Sequence, residues 1–256
     1  MRSFMTFMKK EMTEQLRSGK LMILGILFVL FGIMNPAVAK LTPWLMELMA
    51  ESLAQSGMTV TEVTVSALDS WVQFFKNIPM ALLAFVLLEG GIFTKEYSSG
   101  TLVLSLTKGL SRYKVVVAKT LTLITLWTVG YFLCAGITYG YNAYFWDNGV
   151  AKHLGFALVV CWLFGIFTVS LMTLFSTLVK GSSGVLLGTG GVILGCYLVS
   201  IVPRVGEYLP TVLMNGTPLI YGAETSQAYV AAVIITAVTV LVSLAASIPI
   251  FNKKQL

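Results

Sequence analysis

Six long apolar runs, separated by shorter polar segments, dominate the pattern of this chain. They cover residues 21–39, 71–93, 117–145, 154–179, 185–203 and 229–251. A helix of about 20 apolar residues crosses the hydrocarbon core of a bilayer and satisfies its backbone hydrogen bonds internally. The pattern therefore predicts an all-α integral membrane protein with six transmembrane helices, folded as a single domain over residues 1–256.

Basic residues collect on one side of the predicted spans. If the N-terminus is cytoplasmic, the cytoplasmic segments contain Arg2, Lys9, Lys10, Arg17, Lys20, Lys95, Lys108, Arg112, Lys114, Lys119, Lys180, Lys253 and Lys254. Only Lys40, Lys76, Lys152 and Arg204 then fall at or beyond the outer face. Because cytoplasmic loops retain Lys and Arg, both termini are expected in the cytoplasm.

Three segments outside the spans also have a predicted structure. In residues 1–20, Phe4, Met5, Met8, Met12 and Leu16 share one helical face, which predicts an interfacial helix, although Phe7 breaks the pattern and a disordered basic leader is the alternative. The external segment 40–70 has apolar residues at helical spacing. The external segment 204–228 and Pro203 just before it are rich in proline, which predicts short helices or a re-entrant turn.

Composition narrows the function. The chain is 57% hydrophobic and 11% charged, which excludes an ordinary soluble domain. Its basic residues flank apolar runs, so no nucleic-acid partner is expected. Cys134, Cys161 and Cys196 all lie within apolar runs, so no metal site is expected. No Gly-x4-Gly-Lys-Ser/Thr sequence occurs, so the chain is not expected to be an ATPase or to hold a cofactor itself.

The predicted cytoplasmic loop 94–116, which we call the coupling loop, has a recognisable sequence. It reads Lys-Glu-Tyr-Ser-Ser-Gly-Thr-Leu over 95–102 and Leu-Thr-Lys-Gly-Leu-Ser-Arg over 106–112, and Lys119 follows at the start of the third span. This resembles the permeases of the type-2 ABC exporter family. Lys108-Gly109 stands where that family often has a proline, and glycine can make the same turn.

The resemblance implies a function for this loop. A short coupling helix would dock on a separate ATPase subunit that binds ATP and Mg, and two permeases would assemble with two ATPases. The residues implied in coupling are Glu96, Gly100, Thr101, Leu102, Val103, Leu106, Arg112 and Lys119. Thr101 would cap the helix, with Leu102, Val103 and Leu106 on its apolar face. Glu96 would pair across the joint, or with Arg112 or Lys119, whereas the alternative is that these charges only anchor helix ends at the headgroups.

Two further features invite a functional interpretation. Glu89 lies deeper in the second span, where it would line a pathway, take up protons, or be solvated at the inner boundary. The fifth span carries two Gly-x-x-x-Gly spacings, formed by Gly184, Gly188, Gly191 and Gly195. By resemblance this span contributes to an interface between two permease copies, and intramolecular packing is an equally good account.

The sequence predicts a permease of an ATP-driven exporter in a bacterial plasma membrane. Spans rich in Phe, Met, Leu and Trp favour hydrophobic or amphipathic cargo, such as antimicrobial or toxin peptides or lipophilic drugs. A polysaccharide remains open, and sodium is less favoured because only Glu89 offers an intramembrane carboxylate. The contrasting class is a sensor or immunity protein that binds a peptide without transport.

Overall fold

The computed structural model describes residues 2–55, 64–107, 110–202 and 204–254. Within them lie ten α-helices and no strand. The helices are α1 Arg2–Arg17, α2 Lys20–Gln55, α3 Ala67–Glu89, α4 Thr94–Ser98, α5 Thr101–Thr107, α6 Arg112–Phe145, α7 Leu154–Leu178, α8 Ser182–Val199, α9 Thr217–Tyr221 and α10 Val230–Lys253.

The six predicted spans are confirmed. Six helices among the described residues are long and apolar enough to cross a membrane, namely α2, α3 with α4, α6, α7, α8 and α10. Helix α1 and the end of α10 lie at the same end of the bundle, which we call the terminal face. Lys108 and Gly109, where a turn is predicted, lie outside the described residues, as does Pro203.

Helix α2 does not end where the first apolar run ends. It continues through Pro36 and Pro43 to Gln55, so much of the segment 40–70 belongs to one helix with the first span. Proline frees the carbonyl four residues earlier, which for Pro36 is that of Gly32. The Thr138 hydroxyl donates to this oxygen at 3.1 Å, and such replacement partners let membrane helices tolerate proline.

Helices α3 and α7 form the interior of the bundle, whereas α8 lies at its edge. In the most apolar stretch of each span, 61% of the residues of α3 and of α7 are buried, against 11% for α8. Large aromatic side chains fill the centre, including Trp71, Phe85 and Trp127. Helix α8 therefore has most of its surface available to lipid or to another protein.

The segment between α8 and α10 folds back into the bundle, as its prolines predicted. It consists of short 3-10 turns, one of them Pro210–Met214, and of helix α9. Leu213, Leu219 and Ile220 in this segment are fully buried. The Tyr229 hydroxyl donates to the Asn215 carbonyl at 2.9 Å and fixes the segment to the start of α10. This segment closes one end of the bundle opposite the terminal face.

Candidate functional site

Helix α1 docks on the bundle through an unexpected stripe. Phe7, Glu11 and Gln15, spaced four residues apart, are all buried. Met5 and Leu16 on the predicted apolar face remain exposed. The helix is confirmed, and Phe7 breaks the sequence pattern because it faces the protein rather than the predicted membrane side. Its position in the membrane interface stays a prediction.

Behind this stripe lies a buried cluster of ion pairs that joins three helices. Lys119 of α6 is 1% exposed, and its Nζ lies 2.8 Å from Glu11 Oε2 of α1 and 3.0 Å from Glu96 Oε2 of α4. The same ammonium donates to the Ile92 carbonyl at 3.0 Å. Lys10 pairs with the other oxygen of Glu96. We call Lys10, Glu11, Glu96 and Lys119 the ionic cluster.

The ionic cluster favours the charged form of Lys10. Partial burial disfavours the ammonium form of Lys10, but the hydrogen bond to Glu96 and the charge of Glu11 outweigh this cost and raise the pKa of Lys10 above its ordinary value. Lys10 also lies 3.4 Å from Glu14 Oε2. Of the two intrachain partners predicted for Glu96, the structure selects Lys119. Both oxygens of Glu96 lie in ion pairs within the chain, whereas pairing of Glu96 across the joint with a partner subunit stays a prediction.

Glu89 is held by the same docked region. It is completely buried, Gln15 Nε2 donates to its Oε2 at 2.7 Å, and Lys20 Nζ lies 3.2 Å from that oxygen. Its Oε1 has no hydrogen-bond partner among the described residues. Glu89 is therefore not solvated at the membrane boundary, and it ties α3 to the junction between α1 and α2.

A turn precedes the coupling loop, which contains two short helices. Gly90 and Gly91 end α3, and α4 follows at Thr94. Gly100 has a φ of +68°, in the left-handed region that favours glycine, and thereby separates α4 from α5. Thr101 was predicted to cap α5, but the structure makes it the first helical residue, one position after the cap.

The three predicted contact residues of α5 do not share one role. Leu102 is 1% exposed and Leu106 packs partly against the core, whereas Val103 is 42% exposed. Leu102 therefore holds α5 on its own chain, and Val103 is the one of the three that another subunit could reach. The predicted apolar face of α5 therefore has two parts: Leu102 and Leu106 pack within the chain, and Val103 is exposed.

Arg112, which ends the coupling loop, lies against the end of α10. Its Nη1 is 3.1 Å from the Phe251 oxygen, 3.1 Å from the Asn252 oxygen and 2.6 Å from the Lys254 oxygen. These carbonyls lie at the C-terminus of a helix, where a cation is favoured. Arg112 thus makes no ion pair with Glu96 among the described residues and instead fixes the carboxy-terminal end of the chain.

Lys254 continues this set of contacts to α7. Its Nζ donates to the Ser176 carbonyl at 3.1 Å and to the Val179 carbonyl at 2.6 Å. The Tyr97 hydroxyl donates to the same Ser176 oxygen at 3.0 Å, and the ammonium lies 4.2 Å from the centre of the Tyr97 ring. We call Tyr97, Arg112 and Lys254, with the carbonyls that they bind, the carboxy-terminal junction.

An apolar cleft of about 380 Å³ lies between α3, α7 and α8. Its walls include Leu83 and Val86 of α3 and Leu186 and Leu194 of α8. Thr189 also lines it, and the hydroxyl of this buried residue has no hydrogen-bond partner among the described residues. Glu89 is not among the lining residues, so the cleft carries no carboxylate.

The glycines of α8 divide into two sets. A Cβ added to Gly188 would lie 2.4 Å from the Phe175 ring of α7, and one added to Gly184 would lie 3.0 Å from Val179. Around Gly191 and Gly195 no described atom lies within 4 Å of an added Cβ. The first Gly-x-x-x-Gly spacing therefore serves packing within the chain, and the second lies on an open surface.

Sequence reasoning missed half of this site. Lys10, Glu11, Tyr97 and Lys254 had no predicted partner. One signal was present for α1, because Phe7, Glu11 and Gln15 recur at the spacing of a helical stripe beside the apolar face. No such signal marked Lys254, whose partners are backbone carbonyls of another helix.

The comparisons with known proteins give one match. Residues 5–220 match the family described as ABC-2 family transporter protein. Neither the curated proteins nor the solved structures include a match to the chain.

Proposed function

Because the chain belongs to the ABC-2 family of transporter proteins, we propose that it is the permease subunit of an ATP-driven exporter and works with a separate ATPase subunit. Its family and its six apolar helices make it a multi-pass membrane component, a role that is typically non-catalytic in this family. The family favours a transporter over a sensor or an immunity protein. ATP and Mg would be bound by the partner and not by this chain.

The buried ionic cluster is the observation that carries this proposal. It fixes Glu96 of the coupling loop to Lys119 at the start of a span and to Lys10 of α1, and Lys119 in turn binds Glu11 of α1. A force applied to the loop is thereby passed to the bundle instead of being absorbed by loop motion. Buried charge pairs resist separation because each unpaired charge would be costly. Such a connection is what a coupling element requires.

Val103 supplies the surface for the ATPase in this proposal. It is exposed on α5, while Leu102 in the same short helix is buried and keeps that helix in place. The terminal face would be cytoplasmic, in agreement with its many Lys and Arg residues. The membrane would be a bacterial plasma membrane.

The cleft between α3 and α8 supports a hydrophobic or amphipathic cargo. Its walls are apolar, and the unpartnered Thr189 hydroxyl offers one hydrogen bond to a polar group of the cargo. A sodium path is not favoured, because Glu89 pairs with Lys20 and lies outside the cleft. Amphipathic peptides and lipophilic drugs are therefore the proposed cargo classes.

A second permease copy would cover the open surface of α8. Gly191 and Gly195 leave room for close approach of another helix, and Leu187, Leu194 and Leu198 beside them are exposed. We propose a homodimer with one ATPase bound to each permease. Cross-linking of a Gly195→Cys variant through its introduced thiol, in a Cys196→Ser background, would yield a covalent dimer if two copies meet along this surface.

The coupling assignment can be tested with two matched valine variants. The chain would be co-expressed with the ATPase encoded beside it and purified in lipid. Val103→Glu places a charge on the exposed surface of α5, and Val150→Glu does the same on the opposite face, where Val150 is 45% exposed. We expect Val103→Glu to lose the ATPase during purification and Val150→Glu to retain it with native ATP turnover.

A third variant tests the conformation of the loop. Gly100→Pro forces φ to about −65°, whereas the native φ is +68°. ATP turnover should fall in this variant even where the ATPase still binds. If no ATPase associates with the native chain, or if all three variants turn over ATP like the native complex, the coupling assignment is wrong and the peptide-binding alternative gains support.

A further inference from the structure

We propose that the carboxy-terminal junction transmits movement of the coupling loop to α7 and α8, so that Tyr97, Arg112 and Lys254 are positioning residues for the α8 wall of the cleft. The inference rests on the proposed function, because it assumes that the ATPase moves the loop. It adds a connection that the ionic cluster does not supply, since that cluster joins the loop to α1 and α6.

The junction holds the coupling loop at both of its ends. Tyr97 precedes α5 and donates to the Ser176 carbonyl at the end of α7. Arg112 lies near the other end of the loop, after α5, and donates to carbonyls at the end of α10 and just beyond it. Lys254, just beyond α10, then donates to Ser176 and Val179. The two ends of the loop are therefore connected to the same helix end, one directly and one through α10.

The contacts are of a kind that transmits displacement. The acceptors are carbonyls at or just beyond helix C-termini, where cations are favoured, and the donors include two cations. Hydrogen bonds from charged donors are stronger than neutral ones. The Tyr97 ring also stacks on Phe251, with ring centres 6.3 Å apart. Polar and apolar contacts at the junction thus join four helices, α4, α6, α7 and α10.

The end of α7 is directly connected to the α8 wall. Helix α7 ends at Leu178 and α8 begins at Ser182, so only three residues join them. Lys254 binds the carbonyl of Val179, the first of these three residues. A displacement of this connection must move the start of α8, because a connection of three residues is too short to absorb the movement.

The two walls of the cleft would therefore respond to the loop by different routes. Helix α3 continues into the coupling loop through Gly90 and Gly91, so its wall moves with the chain itself. Helix α8 is separated from the loop by more than sixty residues of sequence, and the carboxy-terminal junction connects it to the loop in space. Loss of the junction should disconnect the α8 wall while the α3 wall still responds.

The experiment places one fluorescent label on each wall in separate proteins. A Cys196→Ser background leaves Cys134 and Cys161, which are buried and will not react. Leu83→Cys on α3 and Tyr197→Cys on α8 both line the cleft and are 56% and 42% exposed. Each is labelled with bimane in the full complex with the ATPase, in lipid, and emission is compared without nucleotide and after trapping with ATP and vanadate.

Lys254→Met is the test variant, and Lys253→Met is its matched control. Lys253 is the exposed neighbour and takes no part in the junction. We expect both labels to respond in the native complex and in Lys253→Met. In Lys254→Met the α3 label should respond as in the native complex, and the α8 response should be lost. A merely structural role for Lys254 would weaken both responses together.

Tyr97→Phe removes one hydroxyl and keeps the ring. It serves as the test variant if Lys254→Met does not assemble with the ATPase. It should reduce the α8 response and spare the α3 response. An unchanged α8 response in Lys254→Met or in Tyr97→Phe would overturn the inference and leave the proposed exporter function intact. If neither label responds in the native complex, both the junction and the coupled permease are wrong.

Discussion

Lys119 is a buried charged residue at the terminal face. Its ammonium is nearly inaccessible to water, and it contacts two carboxylates and one backbone carbonyl. Removing one partner of a buried pair leaves an uncompensated charge, which typically costs about 3–5 kcal/mol. The consequences of its substitution can therefore be predicted.

Lys119→Met should lower the free energy of unfolding by about 3–5 kcal/mol, since Glu11 and Glu96 lose their shared cation. Thermal unfolding in detergent would measure the change. Lys9→Met, on the exposed side of α1, is the control and should unfold like the native protein. Adding Glu11→Gln and Glu96→Gln to Lys119→Met should recover part of the loss. A native unfolding temperature in Lys119→Met would contradict the structure of this cluster.

Lys254 should give the protein a distinct pH dependence. Burial and the charge of nearby Lys180 lower the pKa of Lys254 from its ordinary 10.5 to about 8. Between these two values the unfolded chain binds more protons than the folded chain, so stability should rise as the pH increases from 8 to 10.5. Unfolding temperatures measured across this range should show the rise in the native protein, and Lys254→Met should show less of it.

At the scale of single residues, the sequence predicted the functional residues that belong to the family motif. It did not predict the residues that contact them. Glu96 and Lys119 were identified because the resemblance marks both positions. Lys10 and Glu11 were not, because a charged residue on a helix is usually solvated, and only the docking of α1 buries Glu11 and brings Lys10 to Glu96. The contacts of Lys254 depend on helix ends that are distant in sequence, which no local pattern reveals.

Two glycines of α8 offer a matched pair at the scale of the helix. A Cβ at position 188 would lie 2.4 Å from the Phe175 ring, whereas one at position 191 would meet no described atom within 4 Å. Gly188→Ala should therefore destabilise the fold by about 1–3 kcal/mol through overpacking. Gly191→Ala should leave the unfolding temperature of the monomer unchanged.

Thermal unfolding of both variants would check this prediction. Phe175→Leu combined with Gly188→Ala should relieve the clash and recover stability. Equal unfolding temperatures for Gly188→Ala and Gly191→Ala would mean that α8 does not pack on α7 through Gly188.

The elements themselves were largely predictable, because a span must be a continuous apolar helix of sufficient length. The end of α2 was not, because Asn35-Pro36 usually marks a helix end. A hydroxyl on α6 overrides that signal, and Thr138 is 102 residues away in sequence from Pro36. Local rules fail here because a tertiary contact satisfies the carbonyl that proline frees.

For the molecule as a whole, the distribution of charge predicts that the terminal face is cytoplasmic. Arg17→Cys on α1 and Tyr144→Cys at the far end of α6 are both exposed, and Tyr144 is 81% exposed. In a Cys196→Ser background, a membrane-impermeant maleimide added to intact cells should label Tyr144→Cys at once. Arg17→Cys should react only after the membrane is permeabilised, and the reverse order would invert the topology.

The architecture of the molecule followed from its sequence, whereas the connections between its parts did not. Six spans and the folded-back segment before α10 needed only periodicity, length and proline positions. The ionic cluster and the carboxy-terminal junction depend on the three-dimensional order of the helix ends. That order is set by packing of residues such as Trp71 and Trp127, which the sequence shows only as apolar.

The slight burial of α8 has a consequence for how such a protein evolves. Substitutions at exposed positions usually change stability by less than about 0.5 kcal/mol, while those in a packed core are often severe. Most of α8 is exposed within the chain, so its outer surface can accumulate mutations that leave the scaffold intact. Gene duplicates that differ along this one helix would therefore keep the same scaffold while presenting different surfaces to a second permease copy.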